Sequence, residues 1–348
     1  YLYLNLHSPG SNKEVLNKIH DEKMKGKYHI LLGNYQKSFG FNENIVIPYF
    51  DEHGKKYTDL VVVNNPDDAE RVVENHLKKS PYLKTKLLDS IISTTDVDHW
   101  KDQKSSFLPA FSVNDELKDL IPKSMRRAEK GVSLLFKNIE TNNNRVDIYD
   151  FFLNETLAQL QLVLFGFSED FEEDTNRKIR ETFKGKNDKY AVEYARKFRE
   201  NIKTAEGPLG ICMRNRDSVL KTKREEFGNS MIFTFAGHDT TATTLTFLLF
   251  ELCKNKEHYE KLQEEVDLFW TDNELSEGDI SYNDLKKLPF MTRCIMETLR
   301  LWTAIPNGTT RELVKEETIT NKNGGKITLK KGTYVQIPNW TRHRNPQI

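Results

Sequence analysis

The chain has 348 residues, and its 52 lysines and arginines balance 52 aspartates and glutamates, which excludes the broad basic field that holds nucleic acid through its phosphates. Hydrophobic residues make up 37% and charged residues 30%, so the core must come from amphipathic helices and not from long apolar runs. No stretch approaches the roughly 20 apolar residues of a membrane span, and since the chain opens on Tyr1, an N-terminal targeting segment is expected to be missing from it.

In chain order, residues 45–50 and 55–63 flank the turn Asp51-Glu52-His53-Gly54 and read as a hairpin. Asn65-Pro66-Asp67-Asp68 then supplies a capping residue, proline at the first helical position and first-turn acids, opening a helix to about Leu77. Residues 98–270 are overwhelmingly helical by apolar spacing, most clearly over 230–254. The charged runs at 169–174 and 177–199 read as solvated faces or loops. A further helix follows Pro289 to about Trp302, and short strands surround 321–325 and 331–332. With no internal repeat and no Pro/Gly/Ser-rich linker, the expectation is one domain over 1–348, mainly α with small β-sheets near both ends of the sequence.

Within 233–241, helical spacing lines Phe233, Ala236, Gly237, Thr240 and then Thr244 along one stripe. Gly237 costs about 1 kcal/mol relative to alanine inside a helix, so something must approach the backbone closely there. A flat cofactor would do so, and so would a second helix packed through small residues. Thr240 can turn its hydroxyl to the carbonyl of Ala236 one turn back, and Asp239 supplies an acid beside it. An acid and an alcohol next to a shallow groove suit proton delivery to a bound oxygen molecule; the alternative is an Asp239 spent on a surface salt bridge. His238 has no second ligand at helical spacing and reads as an ordinary exposed or capped histidine.

Ala236-Gly237-His238-Asp239-Thr240-Thr241 resembles the oxygen-activation motif of cytochromes P-450. The resemblance implies that Ala236 and Gly237 form the haem- and oxygen-facing backbone and that Asp239 and Thr240 are the acid and alcohol pair. Glu297-Thr298-Leu299-Arg300 is similar to the family's Glu-x-x-Arg motif, a structural pair. Trp100 with Lys104, one turn apart, resembles its Trp-x-x-x-Arg helix, where an indole N–H and a cation converge on a haem propionate; lysine keeps the charge and loses the bidentate fork. Arg311, in Thr309-Thr310-Arg311-Glu312, falls where the family contributes a further propionate-binding arginine. The segments 331–335 and 340–346 resemble structural stretches that precede the family's cysteine loop.

That loop, Phe-x-x-Gly-x-x-x-Cys-x-Gly, is not in the sequence, so the chain is expected to be a P-450 fold lacking its C-terminal part and the iron ligand. Cys212, Cys253 and Cys294 show no paired spacing and read as buried structural thiols in a reducing compartment. The resemblance implies a haem (iron protoporphyrin IX) monooxygenase that uses O2 on a small apolar substrate, with NADPH acting through a flavoprotein reductase. Residues 111–230 would help line the substrate pocket, and Lys101, Lys104, Lys118, Lys123, Arg126 and Arg127 could form a basic face for the reductase. Location would be the endoplasmic reticulum membrane if an anchor has been lost, otherwise the cytoplasm. The competing reading is an inactive helical protein that binds a ligand or partner.

Overall fold

In the computed structural model, β1 (Ile45–Phe50) and β2 (Tyr57–Val62) pair antiparallel with Ile45 opposite Val62, the expected hairpin. The structure describes residues 5–10, 13–50, 57–112, 120–167, 178, 181, 188–219, 222–272 and 280–347; Lys118 and the run at 169–174 lie outside these. Contacts divide the chain into a first unit of Tyr1–Thr85, Ser93–Asp98 and Leu299–Ile348, and a second of Lys86–Ile92 and His99–Thr298.

The first unit is built on a four-stranded sheet. Strands β3 (Thr309–Glu312) and β6 (Tyr334–Ile337) join the hairpin in the order β1-β2-β6-β3, with β2 parallel and β3 antiparallel to β6. Between them, β4 (Glu317–Thr320) and β5 (Lys326–Leu329) form a separate hairpin. Period-two alternation sends Ile45, Ile47, Leu60 and Val62 to one face, against Ile19 of α1 (Lys13–Met24) and Tyr28, Leu31 and Leu32 of α2 (Tyr28–Phe39). Val46, Val61 and Val335 take the other face, with Ala69 and Val72 of α3 (Pro66–Asn75) and Ile319 and Leu329 of the β4–β5 hairpin. Both faces are covered, which is why these strands read as nearly continuous apolar runs. Each buried Val, Leu or Ile side chain contributes about 1.5–3 kcal/mol.

Helix α3 starts as its sequence predicts: Asn65 accepts the Asp68 N–H at 3.1 Å and Pro66 lies in the first turn. It ends at Asn75, short of Leu77, because His76 leaves the helix and is fully buried. Its Nδ1 accepts the Val314 N–H at 3.1 Å and its Nε2 faces a Glu317 carboxylate oxygen at 3.0 Å, so the backbone turns where the ring is needed. Asp68, also fully buried, accepts hydrogen bonds from the Asn44 amide (2.6 Å), the Thr320 N–H (2.8 Å) and Arg71 (2.5 Å). Burial opposes its ionisation, but these donors prevail and hold the carboxyl below the ordinary aspartate range.

The second unit is helical. Its elements are α4 (Val97–Phe107, entered from the first unit), α5 (Leu120–Thr141), α6 (Ile148–Gln159) with a π-helical continuation (Leu160–Phe165), α7 (Asp188–Ile202) and α8 (Pro208–Val219). They are followed by α9 (Lys223–Lys254), α10 (Lys256–Asp272) and α11 (Pro289–Leu301). The long helix α9 starts before residue 230 because Thr222 caps it, its hydroxyl accepting the Glu225 N–H at 3.2 Å, with Glu225 and Glu226 in the first turn. The charged run before Arg199 is largely α7, which buries Tyr194 and Phe198. Phe198 meets Phe165 and Phe167 edge-on at 5.0 and 5.3 Å. The fold is mainly α with small sheets, and no helix among the described residues is long and apolar enough to cross a membrane.

Asp68→Ala leaves Arg71 and Asn44 facing a lost carboxylate, so it is expected to lower unfolding free energy by about 3 kcal/mol at neutral pH. Because the folded-state pKa is depressed, the contribution is present above the ordinary value of about 4 and lost as pH falls through the folded value. Denaturant unfolding of both proteins from pH 7 to pH 3 should show the gap closing.

Candidate functional site around helix α9

Helix α9 carries the predicted stripe, and almost every polar side chain between Thr234 and Thr240 has a specific partner. Thr240 donates its hydroxyl to the Ala236 carbonyl at 2.9 Å, and Thr244 does the same to Thr240 at 2.9 Å. Asp239, half-buried, accepts a hydrogen bond at Oδ1 from the Tyr149 hydroxyl of α6 at 3.3 Å. Phe233 packs edge-on against Phe107 at 4.9 Å and stacks with Phe111 at 6.1 Å.

A Cβ added to Gly237 would lie 2.8 Å from Cδ1 of Leu160, so the second-helix alternative has a partner in the π-helical end of α6. One expectation changes. His238 is neither exposed nor a cap: it is fully buried, and its Nδ1–H donates to the Thr234 carbonyl at 2.7 Å. The neighbouring helix explains this, since Thr156 of α6 donates to the His238 carbonyl at 3.0 Å and draws that side of α9 inward. Thr234 bonds back to Ser230 O at 2.8 Å and accepts from the Tyr194 hydroxyl at 2.9 Å.

Helix α4 brings Trp100 and Lys104 together, the Lys104 ammonium lying 5.2 Å from the centre of the Trp100 ring. A buried network holds this helix. Arg216 of α8 pairs with Glu225 of α9, and donates to Asp102 at 2.9 Å and to the Ser106 hydroxyl at 2.8 Å. The second Glu225 oxygen faces His99 Nε2 at 2.8 Å, and Gln103 links the Asp89 carbonyl (2.9 Å) to Asn229 (2.9 Å). Burial works against the Arg216 charge, yet Glu225 and Asp102 keep its pKa above the usual arginine value.

In the first unit, Arg311 on β3 donates to the Leu77 carbonyl at 3.1 Å, while its Nε is buried without a hydrogen-bond partner. Burial lowers its pKa. Lys79 bridges to Arg311 across the backbone, and burial and the Arg311 charge push the Lys79 ammonium down to about 8. Two cations side by side with an unsatisfied guanidinium nitrogen fit an incoming carboxylate such as a haem propionate.

Glu297 and Arg300 both sit exposed on α11, with Thr298 buried between them; Arg300 donates to the His343 carbonyl at 2.8 Å. The buried-thiol expectation holds for none of the cysteines. Cys253 is exposed, and Cys212 and Cys294 are only half-buried, because all three lie on outer parts of α9, α8 and α11. Burial, then Glu265, raises the Cys294 thiol above its ordinary pKa. Of the proposed basic face, Lys101, Lys104, Lys123 and Arg126 are exposed, whereas Arg127 is buried in an ion pair with Glu155 at 2.7 Å and leaves the set. Tyr149, Lys79 and Arg216 escaped sequence reading: Tyr149 reaches Asp239 across 90 residues, and no local pattern announces such a pairing.

A sequence profile of the Cytochrome P450 family matches residues 188–348, a span that includes Ala236 to Thr240, Glu297, Arg300 and Arg311 but not Trp100 or Lys104. Over 127 residues the chain is 34% identical to cytochrome P450 3A27 of Oncorhynchus mykiss, covering 36% of this chain and 23% of that protein. Over 198 residues it is 28% identical to cytochrome P450 3A40 of Oryzias latipes, covering 57% and 36%. Over 116 residues it is 33% identical to cytochrome P450 4A12B of Mus musculus, covering 33% and 21%. Residues 188–348 are thus similar to the cytochrome P450 family, and the aligned segments span between a fifth and about a third of the length of these relatives.

If Leu160 is what requires glycine at 237, then Gly237→Ala should gain the helix-propensity term of about 1 kcal/mol only in a Leu160→Ala background. Equal effects in both backgrounds, read by denaturant unfolding, would remove Leu160 as the cause.

Proposed function

We propose that the protein is a haem-dependent monooxygenase that inserts one oxygen atom from O2 into a small apolar substrate. The observation that carries this reading is the Thr240 hydroxyl turned onto the Ala236 carbonyl, next to Asp239, within the segment matched to the family. Haem would supply reductive activation of dioxygen with electrons from NADPH passed through a flavoprotein reductase. In the first unit, Arg311 with Lys79 beside it would offer a propionate its charge and an Nε–H that lacks a partner; in the second, Trp100 with Lys104 would offer an indole N–H and an ammonium.

Within the chain, the proposed proton path uses two atoms. Releasing Thr240 Oγ1 from the Ala236 carbonyl costs about 1 kcal/mol, the net worth of one hydrogen bond, and frees its proton for donation into the groove. Asp239 is one residue earlier and about 100° round the helix, so its carboxyl recharges Thr240 by side-chain rotation or through a bridging water. The exposed Lys101, Lys123 and Arg126 support docking of an acidic reductase, which would place the enzyme with its donor at the endoplasmic reticulum membrane.

Thr240→Ala should leave NADPH and oxygen consumption in place while product per oxygen falls roughly tenfold, well within the worth of a positioned proton donor; hydrogen peroxide release makes up the difference. Unchanged coupling would remove Thr240 from the path. Replacing Lys101, Lys123 and Arg126 with glutamate should slow reductase-driven turnover and spare peroxide-driven turnover, and equal loss in both would end the docking assignment.

A further inference from the structure

We infer that Tyr149 is a positioning residue for Asp239, orienting the acid through a hydrogen bond to one of its oxygens; this rests on the relay proposed above. The Tyr149 hydroxyl donates to Asp239 Oδ1 at 3.3 Å. Tyr149 is itself fixed. Asp147, the N-cap of α6, accepts the Tyr149 N–H and the Asp150 N–H, both at 3.0 Å, so the tyrosine backbone is set two residues into a capped helix.

The helix that carries it is registered on α9 at the adjoining residues. Thr156 donates to the His238 carbonyl at 3.0 Å, and Leu160 fills the space over Gly237. Asp239 thus follows two residues of α9 that α6 already grips, and the phenol extends that grip to the carboxylate. A half-exposed aspartate on a helix surface samples several rotamers. A donor on a rigid ring selects one of them at little entropic cost, since tyrosine has few torsions to lose.

Tyr149 keeps its hydroxyl proton in the hydrogen bond to Oδ1; each proton the acid passes to the Thr240 hydroxyl is replaced from water, and the phenol is neither consumed nor ionised. Tyr149 touches neither substrate nor cofactor and acts only through Asp239.

The test uses the haem-loaded full-length protein and its Tyr149→Phe, Tyr149→His and Asp239→Asn variants. The infrared band of the Asp239 carboxyl group, isolated by subtracting the Asp239→Asn spectrum, should shift in Tyr149→Phe. Product formed per oxygen should fall roughly threefold to tenfold, the worth of one hydrogen bond, with melting temperature unchanged. Tyr149→His, which keeps a donor, should recover part of that loss. An unshifted band, or full coupling in Tyr149→Phe while Asp239→Asn is uncoupled, would overturn the inference and leave the relay standing. Full coupling in Asp239→Asn would overturn the relay, and this inference with it.

Discussion

The contact of α6 with α9 at Gly237, where a Cβ would press on the end of the Leu160 side chain, sets the local geometry around Asp239 and Thr240. With the two helices that close, Thr156 reaches the His238 carbonyl, the His238 ring turns inward to Thr234, and the Tyr149 hydroxyl meets Asp239. Asp239 is then left on the rim and Thr240 on the face of the stripe, with its hydroxyl parked on the Ala236 carbonyl. A helix with so many hydroxyls bonded to their own carbonyls one turn back is bent and softened locally. Interhelical contacts at 237–239 restore the definition that the helix alone would lack.

The first unit holds two buried charged sites with opposite logic. Asp68 is met by three donors and joins α3 to the β4–β5 hairpin and to Asn44. Arg311, half-buried beside Lys79, has a buried Nε that no acceptor satisfies. A satisfied buried charge accounts for itself as structure.

Local patterns were legible. The hairpin at 45–62, the capped start of α3, the Thr240 bond to Ala236 and the strand holding Arg311 all follow from residue spacing and capping chemistry. What the sequence did not show is long-range. Strands from the two ends of the chain share one sheet, β2 beside β6, and nothing in Leu60-Val61-Val62 names its partner. The same holds for Tyr149 and Asp239, for Lys79 and Arg311, and for the Arg216–Glu225–His99 network behind Trp100. His238 was misread because burial on a helix depends on which neighbour packs there, and Gly237 left two readings open because glycine records close approach without recording what approaches.

The proposed haem-dependent chemistry has a direct spectroscopic test. The carbon monoxide difference spectrum of the reduced, haem-reconstituted full-length protein tests it most directly. The account predicts stoichiometric haem uptake and the red-shifted band produced by a cysteine thiolate opposite carbon monoxide. Failure to take up haem would contradict it and favour a non-catalytic helical protein.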